Sequence, residues 1–147
     1  ELAVLVGRQL RDASPETARQ AVAGYGIALD LTLRDLQNGS KQKDYPWETA
    51  KAFDGACPLS PFLAPDALPD PQATDLTLHV NGELRQQGNT RDMMLGIFEL
   101  IAHISTHFTL LPGDVVLTGT PAGVGPLRAG DQLLLGLAGH GFAARVA

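Results

Sequence analysis

The stretch Leu-Thr-Leu-His-Val-Asn-Gly-Glu-Leu-Arg-Gln, residues 76–86, is the clearest indication of how this chain folds. Over residues 76–80, leucine and valine alternate with threonine and histidine, which is the period of a strand with one buried face. The pair Asn81-Gly82 favours the positive φ angles of a type I′ turn, after which residues 83–86 return as a second strand. The sequence therefore predicts an antiparallel β-hairpin at this position.

Further strands are predicted on both sides of this hairpin, because short apolar or alternating segments recur between turn-forming residues. These segments are residues 2–6, 25–33, 115–117, 132–137 and 142–146. Residues 37–48 are polar and rich in turn formers, which predicts a surface loop with room for a broken helix. Five prolines between positions 58 and 71 exclude regular helix and central strand from that segment.

Two helices are predicted. Ser14 can cap a short helix that begins at Pro15, reaches residues 21–22 and closes at Gly24. Asn89-Thr90 can cap a longer helix, in which apolar side chains recur every three or four residues and form a core-facing stripe. The members of this stripe are Met93, Ile97, Ile101, Ile104 and Phe108. Since strands dominate and do not alternate regularly with helices, we expect an α+β, mainly β, architecture.

The composition is that of a chain that folds as one domain. It has 147 residues, of which 44% are hydrophobic and 18% are charged, and this is too apolar for disorder. The net charge of −5, without a cluster of Lys and Arg, argues against nucleic acid or an anionic membrane as the main partner. The single cysteine, Cys57, cannot form an internal disulfide, and no apolar run approaches the roughly 18 residues of a membrane span. We therefore expect a protein of the reducing cytoplasm.

Asp30 is the most informative candidate for chemistry, because the predicted strand over residues 25–33 is otherwise apolar or neutral. A buried carboxylate requires a charged partner, a hydrogen-bond network or a metal ion to offset its desolvation. Hard cations such as Mg²⁺ prefer oxygen ligands, and Glu1, at the mouth of the first strand, is a candidate for a second ligand. The alternative is that Asp30 lies on the solvent-facing side of its strand.

Other polar side chains could bind an anionic substrate. Arg34 can grip a carboxylate through two parallel hydrogen bonds, although a surface pair with Asp35 is the alternative. Lys51 lies among apolar neighbours, where its ammonium either stabilises developing negative charge or extends to solvent. The glycine-rich loop at residues 119–125 can bring Thr120 and free backbone amides close to an oxyanion, or it is a simple turn.

Histidine and cysteine chemistry is not predicted. His103 and His107 have the spacing of zinc ligands on a helix, but Ile104 stands where metalloproteases have a glutamate. His103 lies well off the apolar stripe and His107 at its edge, so we expect both on the surface. Cys57 has no basic neighbour and is expected to be a small buried hydrophobe.

Five motifs occur in order along the whole chain. They are ELAVLVG (1–7), GYGIALDLTLRDLQ (24–37), AKAFDGACPLS (50–60), VNGE (80–83) and PGDVVLTGTPAGVGP (112–126). Together they resemble the fumarylacetoacetate hydrolase family, and within it the small bacterial acylpyruvase, oxaloacetate decarboxylase and 2-hydroxymuconate isomerase-like branch. The resemblance implies a β-roll or barrel-like fold with peripheral helices, a small-molecule substrate and a homodimer.

The resemblance also implies a Mg²⁺ or Mn²⁺ ion held by three carboxylates. Glu1 and Asp30 match two of these ligands, and the third would lie two residues before Glu1. The family's substrate-binding positions are matched by Arg34, Gln37, Lys51 and Thr120. Of these, Lys51 and Thr120 are also expected to act in catalysis, by donating to the charge that develops on an enolate. Residues 1–147 are then expected to be a single catalytic domain that lacks its N-terminal part, including a water-activating lid, and is inactive alone.

Three functions stay open at this point. The first is metal-dependent C–C hydrolysis of an acylpyruvate to pyruvate and a carboxylate, through a metal-bound enolate. The second uses the same enolate for isomerisation or decarboxylation of 2-oxo or 2-hydroxy dicarboxylates, such as oxaloacetate or the 5-carboxymethyl-2-hydroxymuconate of aromatic catabolism. The third is a non-catalytic β-rich binding module in which Asp30 and Lys51 form a structural pair.

Overall fold

The computed structural model describes residues 1–147 as an α+β fold with two antiparallel sheets and three short helices. The strands are β1 (Leu2–Val6), β2 (Val22–Ile27), β3 (Asp75–Val80), β4 (Glu83–Asn89), β5 (Val115–Leu117), β6 (Gln132–Leu137) and β7 (His140–Arg145). The helices are α1 (Pro15–Gln20), α2 (Arg34–Lys41) and α3 (Ile97–His107). Single 3₁₀ turns lie between them at Glu48–Ala50, Pro65–Ala67, Pro71–Ala73 and Thr90–Asp92. The expected α+β, mainly β, class is confirmed.

The predicted hairpin forms one side of a four-stranded sheet with the order β4-β3-β6-β7. Asn81 and Gly82 have φ angles of 53° and 85°, as a type I′ turn requires. The buried side chains of β3 pair with buried leucines of β6, for example Leu78 with Leu135. The alternation seen in the sequence therefore places one face of this sheet in the core.

β1 is the central strand of a second sheet, with the order β2-β1-β5, and is antiparallel to both neighbours. Its Leu2 and Val4 side chains are fully buried, as its continuously apolar sequence predicts. They belong to one hydrophobic cluster that also contains Ile97 and Ile101 of α3 and Leu137 of β6. Each of these large side chains contributes roughly 1.5–3 kcal/mol of burial, so this cluster holds the two sheets and α3 together.

The first predicted helix is too long. α1 ends at Gln20 rather than at Gly24, because the chain enters β2 at Val22. Gly24 lies inside β2, where an added Cβ atom would be 2.8 Å from the carbonyl oxygen of Leu63. The glycine is therefore required for close backbone approach and not for helix termination.

The second predicted helix starts too early. The segment Thr90–Asp92 is a separate 3₁₀ turn, and α3 begins at Ile97, whose N–H donates to the Gln72 side-chain oxygen over 2.8 Å. Phe108 follows the helix and is 67% exposed, so it is not part of the core stripe. With 11 residues, α3 is the longest helix, and none of the three could cross a membrane.

The predicted strand over residues 25–33 is also too long. β2 ends at Ile27, and Asp30 therefore lies beyond the strand rather than within it. After β2 the chain pairs with a neighbouring segment instead, through the bridge between Ala28 and Leu59 and a hydrogen bond from Leu31 N to the Ala56 oxygen. Residues 34–41, where a surface loop was predicted to begin, form helix α2.

Candidate functional site

Glu1 lies where the first strand meets the loop that follows β5. Its backbone nitrogen donates to the Ala28 oxygen over 2.8 Å, which continues the pairing of β1 with β2. Its Oε2 atom accepts a 2.7 Å hydrogen bond from Gly119 N, and its Oε1 atom accepts one from the Thr120 hydroxyl. Since Thr118 N donates to the Leu2 oxygen, the β1–β5 ladder itself delivers this loop to Glu1. The structure therefore brings together two of the predicted site residues, Glu1 and Thr120.

A second pair forms next to the end of β2. The Lys51 ammonium lies 2.6 Å from Asp30 Oδ1 and donates to the Thr32 hydroxyl over 2.9 Å. The side chains of Lys51 and Asp30 are 27% and 34% exposed, so both can still reach a ligand. The pairing arises because Leu33 N donates to the Ala50 oxygen, which fixes the segment before Lys51 against the segment after Asp30. Lys51 therefore does not simply extend into solvent.

Arg34 and Gln37 lie together at the start of α2. The Arg34 Nη1 atom donates to the Gln37 Oε1 atom over 2.9 Å, and Gln37 is buried whereas Arg34 is exposed. The alternative pair of Arg34 with Asp35 does not form, since the ion pairs of the chain are Lys51–Asp30 and Arg11–Asp12. Gln37 thus orients a guanidinium whose other N–H donors face outward.

Backbone pairing brings the segments of Glu1 and Cys57 to the end of β2, just before Asp30. Glu1 N donates to the Ala28 oxygen, and Leu29 N donates to the Pro58 oxygen. Partial desolvation raises the pKa of the Cys57 thiol, and the charges of Asp30 and then Glu1 raise the pKa further. The expectation that Cys57 is buried is wrong, because Cys57 is exposed.

The donor set fits a hard divalent cation in part. Two carboxylates with exposed or partly exposed oxygens can be completed by water and substrate oxygens, as is usual for Mg²⁺. The Asp30 carboxylate is paired with Lys51 through Oδ1, and its side chain is 34% exposed. No group of three or more His, Cys, Asp or Glu side chains is arranged to hold a metal ion. Glu1 and Asp30 therefore stay candidate ligands, and the chain holds no cluster of three such side chains.

A narrow cavity of about 20 Å³ adjoins Glu1 and is lined by residues of both sheets. Its wall is formed by Glu1, Ile27, Ala28, Leu29, Leu76, Thr77, Leu78, Gln86, Pro121 and Leu135. This volume holds one water molecule and no substrate.

Sequence reasoning missed two participants in this arrangement. Thr32 orients Lys51, and Gln86 contacts the loop that carries Thr120. The loop amides were predicted to approach an oxyanion, and the Gly119 amide donates to the Glu1 carboxylate. Thr32 could have been found, because it lies two residues after Asp30 in an otherwise apolar segment. The contact of Gln86 connects positions 35 residues apart and has no local signal. His103 and His107 are exposed on α3, as expected.

Comparison with known sequences extends over nearly the whole chain. The family model for the fumarylacetoacetate hydrolase C-terminal region matches residues 1–146. The oxaloacetate tautomerase YcgM of Escherichia coli is 58% identical over 147 residues, which cover 99% of this chain and 67% of the relative. The mitochondrial oxaloacetate tautomerase of Bos taurus is 45% identical, over 95% of this chain and 63% of the relative. The chain thus spans about two thirds of the length of these relatives.

Solved structures show the same fold. A Yersinia pestis protein described as of the fumarylacetoacetate hydrolase family superposes with a TM-score of 0.96 and 54% identity, over 100% of this chain and 70% of its own. A Pseudomonas aeruginosa fumarylpyruvate hydrolase, in complex with Mn²⁺ and pyruvate, superposes with a TM-score of 0.93 and 35% identity. The match covers 99% of this chain and 63% of the hydrolase. A 5-carboxymethyl-2-hydroxymuconate delta-isomerase from Mycobacterium smegmatis superposes with a TM-score of 0.88 and 39% identity. The match covers 99% of this chain and 56% of the isomerase.

Proposed function

Because the chain belongs to the fumarylacetoacetate hydrolase family, we propose that it forms the catalytic domain of an enzyme that tautomerises oxaloacetate-type 2-oxo dicarboxylates through an enolate. The relatives that are oxaloacetate tautomerases support this choice over acylpyruvate hydrolysis, which the sequence analysis placed first. The observation that supports the proposal is the pair of contacts Glu1–Thr120 and Asp30–Lys51, whose segments are joined where Glu1 N donates to the Ala28 oxygen. Since the chain covers about two thirds of these relatives, the activity of the whole protein is part of the proposal.

Glu1 and Asp30 are proposed to hold a divalent cation, either Mg²⁺ or Mn²⁺. The Mn²⁺ complex of the Pseudomonas aeruginosa fumarylpyruvate hydrolase supports a divalent ion in this fold. Such an ion would supply positive charge beside the substrate oxygen that becomes the enolate. Gly119 N and the Thr120 hydroxyl fix the Glu1 carboxylate, so that its orientation does not depend on the ion.

Lys51 is proposed to stabilise the enolate oxygen directly. An ammonium has three N–H donors, and Asp30 and Thr32 accept two of them. The third N–H is free for a substrate oxygen, and it gains strength as negative charge develops there. Because Asp30 and Thr32 already fix Lys51, no reorganisation of the ammonium is required during the reaction.

Arg34 is proposed to bind the carboxylate farther from the reacting carbon. Gln37 occupies one N–H of the guanidinium, which leaves a second terminal nitrogen for a carboxylate oxygen. The chain as a whole is acidic, yet Arg34 and Lys51 supply two cations for an anionic substrate, and the hydrogen bond from Leu33 N to the Ala50 oxygen brings their segments together. A substrate held at both ends presents its C2 carbonyl and C3 proton in a fixed geometry.

Tautomerisation needs less from the protein than hydrolysis. In the keto-to-enol direction a base accepts one proton from C3 and an acid delivers one proton to the C2 oxygen, so no water is consumed and no carbon–carbon bond breaks. Hydrolysis of an acylpyruvate starts from the same enolate chemistry but also requires a water molecule and a base that activates it. Hydrolysis is the second candidate, supported by the pyruvate complex of the fumarylpyruvate hydrolase.

A substrate panel tests the proposal. The full-length protein, of which residues 1–147 are expected to be the catalytic domain, should with Mg²⁺ or Mn²⁺ accelerate the loss of enol absorbance from oxaloacetate without releasing pyruvate. Release of pyruvate from an acylpyruvate would favour hydrolysis instead, and inactivity on every 2-oxo acid would contradict both.

Metal binding is tested separately, by Mn²⁺ titration followed by electron paramagnetic resonance. Glu1→Gln and Asp30→Asn should each weaken Mn²⁺ binding by more than about tenfold, since even changes to groups behind metal ligands have effects of that size. Asp35→Asn is the matched control, because Asp35 is exposed and has no polar partner. Equal Mn²⁺ affinity in all four proteins would support the non-catalytic module with a structural Asp30–Lys51 pair.

The homodimer implied by the resemblance is part of the same proposal. Sedimentation equilibrium measures it directly, and the mass of a monomer at micromolar concentration would contradict it.

A further inference from the structure

The loop that carries Thr120 is attached to the hairpin as well as to Glu1. Gln86, on β4, donates from its Nε2 atom to the Pro121 oxygen over 3.0 Å and to the Ala122 oxygen over 3.3 Å. No other side chain of the four-stranded sheet donates to this loop. One amide group thus holds the two carbonyl groups that directly follow Thr120.

Two glycines make this attachment close. At Gly88, also on β4, an added Cβ atom would lie 2.7 Å from Pro121 Cβ, so the proline ring packs directly on the strand backbone. At Gly123, which has a φ angle of 93°, an added Cβ atom would collide with the Arg85 oxygen. Strand and loop therefore approach each other at backbone distance on both sides of the Gln86 hydrogen bonds.

Gln86 also lies close to Glu1. Both residues line the same 20 Å³ cavity, together with Pro121. The Gln86 amide therefore holds the loop from one side while the Glu1 carboxylate receives the Gly119 and Thr120 donors from another. The contacts at Glu1 fix Gly119 and Thr120, and the Gln86 contacts fix the two residues that follow them.

We infer that Gln86 is a positioning residue: it fixes Pro121 and Ala122 so that the Gly119 amide and the Thr120 hydroxyl are held at Glu1. The effect on catalysis rests on the proposed function, whereas the effect on loop placement does not. The hairpin, which has no residue among the predicted ligands or substrate contacts, thereby supports the site.

Gln86→Met tests this inference, because methionine retains the length of the side chain and removes the amide. Gln87→Met is the matched control, since Gln87 is the next residue of β4, is exposed and donates to no side chain or carbonyl of the loop. The first measurement is the hydrogen-exchange rate of the Gly119 amide by NMR. We expect it to rise about tenfold in Gln86→Met, the equivalent of one to two neutral hydrogen bonds, and to stay unchanged in Gln87→Met.

Gly88→Ala is a second variant, which would push Pro121 away from β4 from the strand side. Gly125→Ala is its control, because a Cβ atom added at Gly125 would have nothing within 4 Å. Gly88→Ala should also speed Gly119 exchange, and Gly125→Ala should not. Unchanged Gly119 exchange in both Gln86→Met and Gly88→Ala would overturn the inference, whether or not the protein is active.

The second measurement is a double-mutant cycle with Thr120→Ala. Gln86→Met alone should lower kcat about tenfold with little change in KM, because it displaces donors and leaves Arg34 in place. In the Thr120→Ala background the same substitution should lower kcat less than about threefold, since the group through which Gln86 acts is gone. If the kcat of the double variant equals the product of the two single losses, the catalytic part of the inference is overturned. If the parent has no activity on 2-oxo acids, the proposed function fails, and Gly119 exchange still decides the placement.

Discussion

Replacing Lys51 with methionine separates a catalytic role of the Asp30–Lys51 pair from a structural one. Methionine retains the apolar stem of the side chain and removes the ammonium, so contacts to Asp30 and Thr32 are lost without a large change in volume. Both members of the pair are about one third exposed, and such pairs contribute about 0–1 kcal/mol to the free energy of unfolding. For a chain of this length, the melting temperature should therefore fall by no more than about 2–4 °C.

The loss of activity should be much larger than the loss of stability. A donor that is aimed at a developing oxyanion contributes about 2.7–4 kcal/mol to the transition state, so kcat should fall roughly 10²–10³-fold. Thr32→Val leaves the ammonium and removes the hydroxyl that orients it, and kcat should then fall only about two- to tenfold. The assay is enol-to-keto conversion of oxaloacetate, with thermal unfolding measured on the same samples.

Lys43→Met is the control, because Lys43 is exposed and forms no ion pair. It should leave both kcat and the melting temperature unchanged. The reasoning would be refuted if Lys51→Met kept its kcat, and a melting temperature that fell by more than about 8 °C would instead identify the pair as mainly structural.

Three further outcomes are expected. Arg34→Met should raise KM for a dicarboxylate about tenfold or more and change kcat less, because one charge-assisted hydrogen bond is lost, and a monocarboxylate substrate should show a smaller effect. The pKa of Asp131 lies below its ordinary value of 3.8, mainly because Asn81 donates a hydrogen bond to the carboxylate. The charged carboxylate therefore stabilises the fold above that ordinary value, and this stabilisation is lost as the pH falls through the pKa of the folded state. Urea unfolding of Asn81→Gly, which retains the positive φ, should therefore show a deficit in unfolding free energy at neutral pH that shrinks as the pH falls below the ordinary pKa of aspartate. Gly24→Ala should reduce the free energy of unfolding by about 1–3 kcal/mol, because the added Cβ would overpack against Leu63. Gly39→Ala should be neutral or stabilising, because Gly39 lies in a helix and an added Cβ would have nothing within 4 Å. Denaturant titration of the two variants tests this difference.

The parts of the fold that were predictable are those decided by neighbouring residues. β1 was predicted with its observed bounds because five apolar residues followed by glycine permit little else. The hairpin was predicted because Asn81-Gly82 specifies its turn and the alternation specifies its buried face. Errors occurred where a distant residue decides the outcome. Gln72 accepts from the first residue of α3, 25 positions away, and the Leu63 carbonyl leaves no room for a side chain at position 24.

The candidate site divides in the same way. Glu1 with Thr120, Asp30 with Lys51 and Arg34 with Gln37 are in contact, although their assignment as ligands and catalytic groups remains a prediction from the resemblance. Spacing could not predict which residues meet, because the contacts join positions 3 to 119 residues apart. Thr32 and Gln86 were missed because their relevance exists only in the folded chain.

The central position of β1 also has a consequence for how the site is assembled. Its neighbours are β2, close in sequence, and β5, more than 100 residues away, and the hydrogen bond from Gly119 to Glu1 spans 118 positions. Closing a loop of that length costs conformational entropy before any contact repays it, and such long-range pairings form slowly. The carboxylate of Glu1 therefore acquires its donors only when β5 joins the sheet, which ties the integrity of the site to the cooperative folding of the whole chain.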